Sequence, residues 1–172
     1  MSEGQSLGHV PRSDWLDAGV VATVVRMPRI ARRALPDGLF HVTARGVARE
    51  PIFRDGIDYA EFRRQLLAVR DLYEWTLHAW CLLPNHYHLV VETTQGELTD
   101  GMHKLNGRYA QRFNRRYDRV GHVFQNRFSS YVIESEEHLH RALAYVQANP
   151  VKAGLCANVD EWLWSGTLAD SD

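Results

Sequence analysis

The sequence predicts an α+β domain: a ferredoxin-like (split βαβ) antiparallel sheet with helices packed on it, plus an extra C-terminal helix. Three observations predict it. The elements follow one another as β-α-β-β-α-β with one more helix, the extended segments alternate or are β-branched, and the helical segments carry apolar residues three and four apart.

Each element has its own signal. After the turn signal Pro36-Asp37-Gly38, segment 39–45 alternates and reads as a strand ended by Gly46. Segment 58–72 places Tyr59, Phe62, Leu66, Leu67 and Val69 at helical spacing. Segment 75–83 is strand-like and stops at Pro84-Asn85, and 86–93 is a second strand, so the two form a hairpin. The longest helix spans 98–117, starts near Gly96 or Thr99, and stripes Leu98, Met102, Leu105, Tyr109 and Phe113 along one side. Segments 121–124 and 128–133 read as extended. Ser135 with Glu136 and Glu137 opens the extra helix, because serine caps and acids suit the first turn. That helix is expected to end at Asn149-Pro150, where proline lacks the amide hydrogen. Trp162 and Trp164 alternate around Leu163 and are expected to close the core. Residues 1–33 read as a loosely ordered N-terminal extension, 34–166 as the folded domain and 167–172 as a C-terminal tail.

Composition narrows the function classes. The 172 residues are 45% hydrophobic and 24% charged, which suits a packed domain and excludes wholesale disorder. No apolar run reaches the roughly 18 residues of a membrane span, and the first residues lack a signal-peptide pattern, so a cytoplasmic protein is expected. Cys81 and Cys156 make neither a disulfide framework nor a CxxC zinc site. Of the 20 basic residues only Lys104 and Lys152 are lysine, a bias toward planar, bidentate contacts with phosphate or carboxylate. The net charge of −1 hides clustering: between Lys104 and Arg127 seven basic residues meet one acid, Asp118. Arg26, Arg29, Arg32 and Arg33 form a second cluster without an acid. Both fit a polyanion site or, more plainly, a solvated helix face and leader.

Two constellations carry chemistry. In a strand, residues i and i+2 share a face, so His86 and His88 point the same way and make half of a metal site, although such a pair is also a common structural feature. Tyr109 belongs to the apolar stripe and reads first as a core residue; the same placement can bring its hydroxyl near the sheet. Arg108 and Arg112, four apart, can hold phosphates.

The chain resembles the HUH-type single-tyrosine transposases, most closely the REP-associated tyrosine transposases. The resemblance runs from about Met27 to about Trp164. It rests on Phe40-His41-Val42-Thr43-Ala44-Arg45-Gly46 and on His78-Ala79-Trp80-Cys81-Leu82-Leu83-Pro84-Asn85-His86-Tyr87-His88. Further on it rests on Tyr109 with Phe113-Asn114, on Gly121-His122-Val123-Phe124-Gln125-Asn126-Arg127-Phe128, and on Asn149-Pro150-Val151-Lys152-Ala153-Gly154-Leu155. It implies that His86 and His88 hold Mg²⁺ or Mn²⁺ and that Tyr109 attacks single-stranded DNA, leaving a 5′-phosphotyrosine and a free 3′-hydroxyl. The resemblance also implies a third, polar ligand on the tyrosine helix. One turn after Tyr109 stands Phe113, which cannot ligate, so Asn114 or Gln111 substitutes, with Asn114 preferred. Imidazole suits softer ions than Mg²⁺, so Mn²⁺ is expected to bind the better of the two.

The implied partner is single-stranded DNA carrying a hairpin, met by a monomer. Arg108, Arg112, Arg116, His122, Gln125 and Arg127 are the expected DNA contacts, with Phe124 or Tyr131 stacking on an unpaired base. The competing reading is a non-catalytic nucleic-acid-binding regulator derived from a transposase, against which stands the presence of both histidines and a tyrosine. A metal hydrolase or cupin-like oxygenase built on His-x-His is a third reading, disfavoured by the long helices and the missing further ligand.

Overall fold

The structure is a computed structural model and describes residues 38–167. The arginine cluster at Arg26 to Arg33, the N-terminal extension and all but the first residue of the tail therefore lie outside the described residues.

Five strands, β1 (Gly38–Arg45), β2 (Thr76–Leu83), β3 (His86–Thr93), β4 (Ser129–Ile133) and β5 (Ser165–Thr167), form one sheet in the order β4-β1-β3-β2-β5. Every pairing is antiparallel. The first four strands follow the ferredoxin-like split βαβ order expected from the sequence. Helices α1 (Gly56–Leu72) and α2 (Gln95–Arg116) cover one face, and α3 (Glu136–Lys152) covers part of the other.

Strand alternation decides what each face sees. Phe40, Val42, Leu82, Tyr87, Leu89 and Val91 pack with Phe62 and Leu66 of α1 and with Leu98, Leu105 and Tyr109 of α2. Ala79, Cys81, Leu83 and Val90 pack on the opposite side with Ala142 and Val146 of α3. His86 and His88 have the parity of Val90, so they look toward α3 and away from α2.

Side-chain caps fix the helix starts. Asp55 accepts from the amides of Ile57 and Asp58 at α1, and Ser135 accepts from His138 at α3, as its sequence signal predicts. At α2 the cap is Thr94, ahead of both Gly96 and Thr99, because its hydroxyl accepts from the Glu97 amide and donates to the Glu97 carboxylate at 2.7 Å. α3 also runs past Pro150 to Lys152, contrary to expectation. A proline so near the end removes only one amide donor, and the last turn closes around it through Ala153 N–H to Asn149 O and Leu155 N–H to Pro150 O.

Segment 121–124 is not a strand. It is pinned to the end of β1 by one bridge, Gly46 to Phe124, and by Val47 N–H to Val123 O. The short β5 escaped sequence reading. Gly166 lies there against the Trp80 indole, where a Cβ would come within 2.7 Å of Nε1. Trp164 stacks on Tyr59 and Trp162 donates to Leu82 O, so both tryptophans do close the core.

Candidate active site

His86 and His88 stand on β3 at the floor of a cavity of about 570 Å³ between the sheet and α3. Asn85 orients His86: its Nδ2 donates to Arg49 O, so its Oδ1 accepts from His86 Nδ1 at 2.6 Å. That assigns the proton to Nδ1 and the lone pair to Nε2. His88 is only 6% exposed, and its Nδ1 lies 3.0 Å from Nε2 of His41 on β1, the two rings stacking at 5.2 Å. His88 Nε2 is buried without any hydrogen-bond partner. An orphaned buried imidazole nitrogen is costly unless something occupies it.

α3 supplies the opposite wall. Tyr145, Asn149 and Lys152, at i, i+4 and i+7, share one helical face and line the same cavity. The Tyr145 ring meets His88 edge-on at 5.5 Å and His41 at 5.9 Å. Asn149 is buried, and its Nδ2 donates to Tyr145 O at 2.8 Å, which leaves Oδ1 as its second polar atom. Arg45, Arg49, Arg127 and Lys152 line the cavity and no acid does. The arrangement brings three imidazoles, an amide oxygen and a phenol together in a cationic hollow, which suits a polyanion.

The structure does not bring Tyr109 to this place. Tyr109 is 1% exposed within the α1–α2 layer, and its hydroxyl donates to Ile52 O at 2.5 Å. The sheet stands between it and the histidines. Burial also pushes its phenol far above the usual range, so a reactive phenolate is disfavoured there. The helical stripe made Tyr109 a core residue, and the core it joined lies on the face of the sheet opposite the histidines. Asn114 follows it: its Nδ2 donates to Gly121 O, and it lines a different cavity from the histidines.

The expected DNA contacts divide in the same way. Gln125 and Arg127 line the histidine cavity, and His122 lines the neighbouring one. Arg108, Arg112 and Arg116 lie on α2, on the far side of the sheet. Arg112 lies 3.4 Å from Glu61, and Arg116 pairs with Asp55 at 2.6 Å and with the buried Asp58 at 2.5 Å. Arg116 thus ties the end of α2 to the start of α1. Arg116→Ala should lower the melting temperature and leave the salt dependence of DNA affinity unchanged. Loss of a true phosphate contact would instead reduce the log–log slope by about 0.7, and salt titration of binding distinguishes the two.

Sequence reasoning missed His41, Arg45, Asn85, Tyr145 and Asn149 as site residues. The Tyr145-x-x-x-Asn149-x-x-Lys152 spacing was the available signal, since it places three polar side chains on one face of a helix that also packs on the sheet.

The buried imidazoles make stability pH-dependent. Burial, with repulsion from His138 second, holds His41 down at about 4, and burial, then His41, His86 and Arg45, hold His88 well below its ordinary value. In the unfolded chain both titrate near 6.5. Below that pH the unfolded state takes up protons that the native state refuses, so stability falls as pH drops from about 6.5 toward about 4. The His41 shift alone corresponds to about 3 kcal/mol across that window. Chemical denaturation of the metal-free protein at a series of pH values measures it, and a flat profile would contradict the buried neutral pair.

Comparison with known proteins agrees with this architecture. Residues 36–149 match the family model described as Transposase IS200 like. A Haemophilus influenzae protein, provisionally named a REP-associated tyrosine transposase, is 27% identical over 121 residues, covering 64% of this chain and 69% of that protein. A solved structure described as the REP-associated tyrosine transposase bound to a REP hairpin superposes with a TM-score of 0.65 at 20% identity, covering 81% of this chain and 82% of that one. Among the described residues no helix is long and apolar enough to cross a membrane. With two thirds of its length matched by the family model and the same fold in a solved relative, the chain belongs to the IS200-like transposase family.

Proposed function

We propose that this protein nicks and rejoins single-stranded DNA beside a hairpin, through a covalent 5′-phosphotyrosine formed on Tyr145. A divalent ion, Mg²⁺ or Mn²⁺, would be held by His86, His88 and Asn149. The observation that carries the reading is the orphaned, buried Nε2 of His88, a residue that lines a cationic cavity also holding a tyrosine. Asn149, a buried amide on the α3 wall of the same cavity, would supply the third donor through Oδ1, since its Nδ2 is already committed to Tyr145 O. Two imidazoles and an amide fit Mn²⁺ better than Mg²⁺. When bound, the ion supplies Lewis-acid polarisation of a non-bridging phosphate oxygen.

The chain's own residues do the rest. Arg45, Arg49, Arg127 and Lys152 hold the phosphates of the entering strand. Tyr145 Oη forms the new P–O bond as the 3′-oxygen leaves with its electron pair and is protonated to a hydroxyl, while the phenolic proton passes to solvent. A 3′-hydroxyl from another strand reverses the step, displacing Tyr145 and restoring a phosphodiester with no outside energy source. The relative with the matching fold is described with a REP hairpin bound, which supports a structured DNA partner here.

The test is where the DNA attaches. Incubation with labelled single-stranded oligonucleotide and Mn²⁺ should give a protein–DNA adduct on a denaturing gel, with an extendable 3′-hydroxyl on the released fragment. Trypsin cuts after Arg141 and Lys152, so the label should travel with the peptide 142–152, whose single tyrosine is Tyr145. Label on the peptide 109–112, or cleavage with no adduct, would overturn the assignment.

A further inference from the structure

A second cavity, of about 560 Å³, lies between α2 and the segment 121–128. It adjoins the histidine cavity, because Gln125, Asn126 and Arg127 line both. Its floor includes Gly107, in the middle of the 22-residue α2. Glycine is among the least favourable residues for a helix interior, so it calls for a reason. At Gly101, six residues earlier in the same helix, the reason is packing: a Cβ would come within 2.3 Å of the Trp75 ring. At Gly107 a Cβ would meet nothing within 4 Å and the backbone is helical. Packing therefore does not require that glycine, and its open side lies on the cavity.

The cavity's hydrogen-bonding groups are set in advance. Asn106 Oδ1 accepts from Tyr87 Oη at 2.7 Å, which leaves its Nδ2 hydrogens as donors. Asn114 Nδ2 donates to Gly121 O at 2.8 Å, which leaves its Oδ1 as an acceptor. Phe124, half-buried against Tyr87 and Tyr109, lends an aromatic ring to the same lining. A fixed donor, a fixed acceptor, an aromatic surface and a neighbouring phosphate site are what an unpaired base requires.

We propose that this cavity takes an unpaired nucleobase from the DNA strand entering the histidine site, and that Gly107 keeps the room for it. The inference rests on the proposed DNA reaction for its ligand, and it moves a function onto the α2 side of the 121–128 segment that the chemistry itself does not use. Asn114, expected from the sequence to bind metal, becomes a base-reading residue.

The experiment measures binding of the full chain to fluorescent single-stranded oligomers of dT, dA and dC, and to an abasic oligomer of equal length. The wild type should prefer at least one base-bearing oligomer over the abasic one. Gly107→Leu should cut that preference by about tenfold, the order expected for one base–aromatic stack, and leave abasic binding unchanged. Gly107→Met serves as a second bulky variant. Gly107→Ala should keep the preference, since its methyl group reaches nothing. All three should melt no lower than the wild type, because each replaces a poor helix former. A preference that survives both bulky variants, an equal loss of abasic binding, or a wild type indifferent to bases overturns the proposal. Adduct formation on Tyr145 is read separately: an adduct with an unaltered preference sinks the base cavity alone, and altered preference with no adduct sinks the nicking reaction alone.

Discussion

Tyr145→Phe is expected to abolish the covalent adduct and strand cleavage while DNA affinity stays within a few-fold. The substitution removes one oxygen. The ring still meets His88 and His41 edge-on, the Asn149 amide still bonds the backbone oxygen of residue 145, and the four cationic side chains still line the cavity. Without the hydroxyl there is no atom to form the P–O bond, so the rate should fall below detection. Tyr109→Phe is the matched control. It leaves Ile52 O without its side-chain donor, a cost of about 1–2 kcal/mol in stability, and it should leave adduct formation intact. Side-by-side denaturing gels and thermal melts read both. Adduct persisting in Tyr145→Phe, or vanishing from a folded Tyr109→Phe, would return the nucleophile to α2.

The contrast between the two tyrosines shows where sequence reading reaches and where it stops. Periodicity found α1, α2 and the β2–β3 hairpin within a few residues, because apolar spacing reports directly on which face is buried. It also placed His86 and His88 on a common face, since a strand fixes side-chain parity. Parity alone does not say which face of the sheet a given helix covers. α2 follows β3 directly, and its apolar stripe docks on the Tyr87–Leu89–Val91 side, so Tyr109 meets the histidines' strand from behind. α3 comes later in the chain and takes the other side. Its polar triplet was legible as a spacing, but only the layer order made it a site. His41 was hidden differently: it sits in an alternating strand, and its partner is 47 residues away. The basic run stayed undivided in the sequence for a third reason. Charge counting cannot separate an arginine held by Asp55 and Asp58 from one that is available to phosphate.

The second large effect concerns how the imidazoles are held. His88→Ala should eliminate most Mn²⁺ uptake and cleavage, with partial rescue at high Mn²⁺, because it removes one of the three proposed donors, the one whose Nε2 has no hydrogen-bond partner in the protein. His41→Phe tests a subtler point. For His88 Nε2 to present its lone pair, the proton must sit on Nδ1, and the acceptor for that proton is His41 Nε2 at 3.0 Å. Phenylalanine keeps a ring in the stack but cannot accept. The ligand then loses its fixed tautomer and orientation, which typically costs 10–100-fold in metal affinity. Saturating Mn²⁺ should therefore restore cleavage more fully in His41→Phe than in His88→Ala, and Tyr145 should still be the labelled residue. Electron paramagnetic resonance of free Mn²⁺, titrated against the DNA-free protein, reads the affinity without reference to activity. Equal Mn²⁺ uptake by wild type, His41→Phe and His88→Ala would sink the metal assignment, leaving the His41–His88 pair as a buried structural contact.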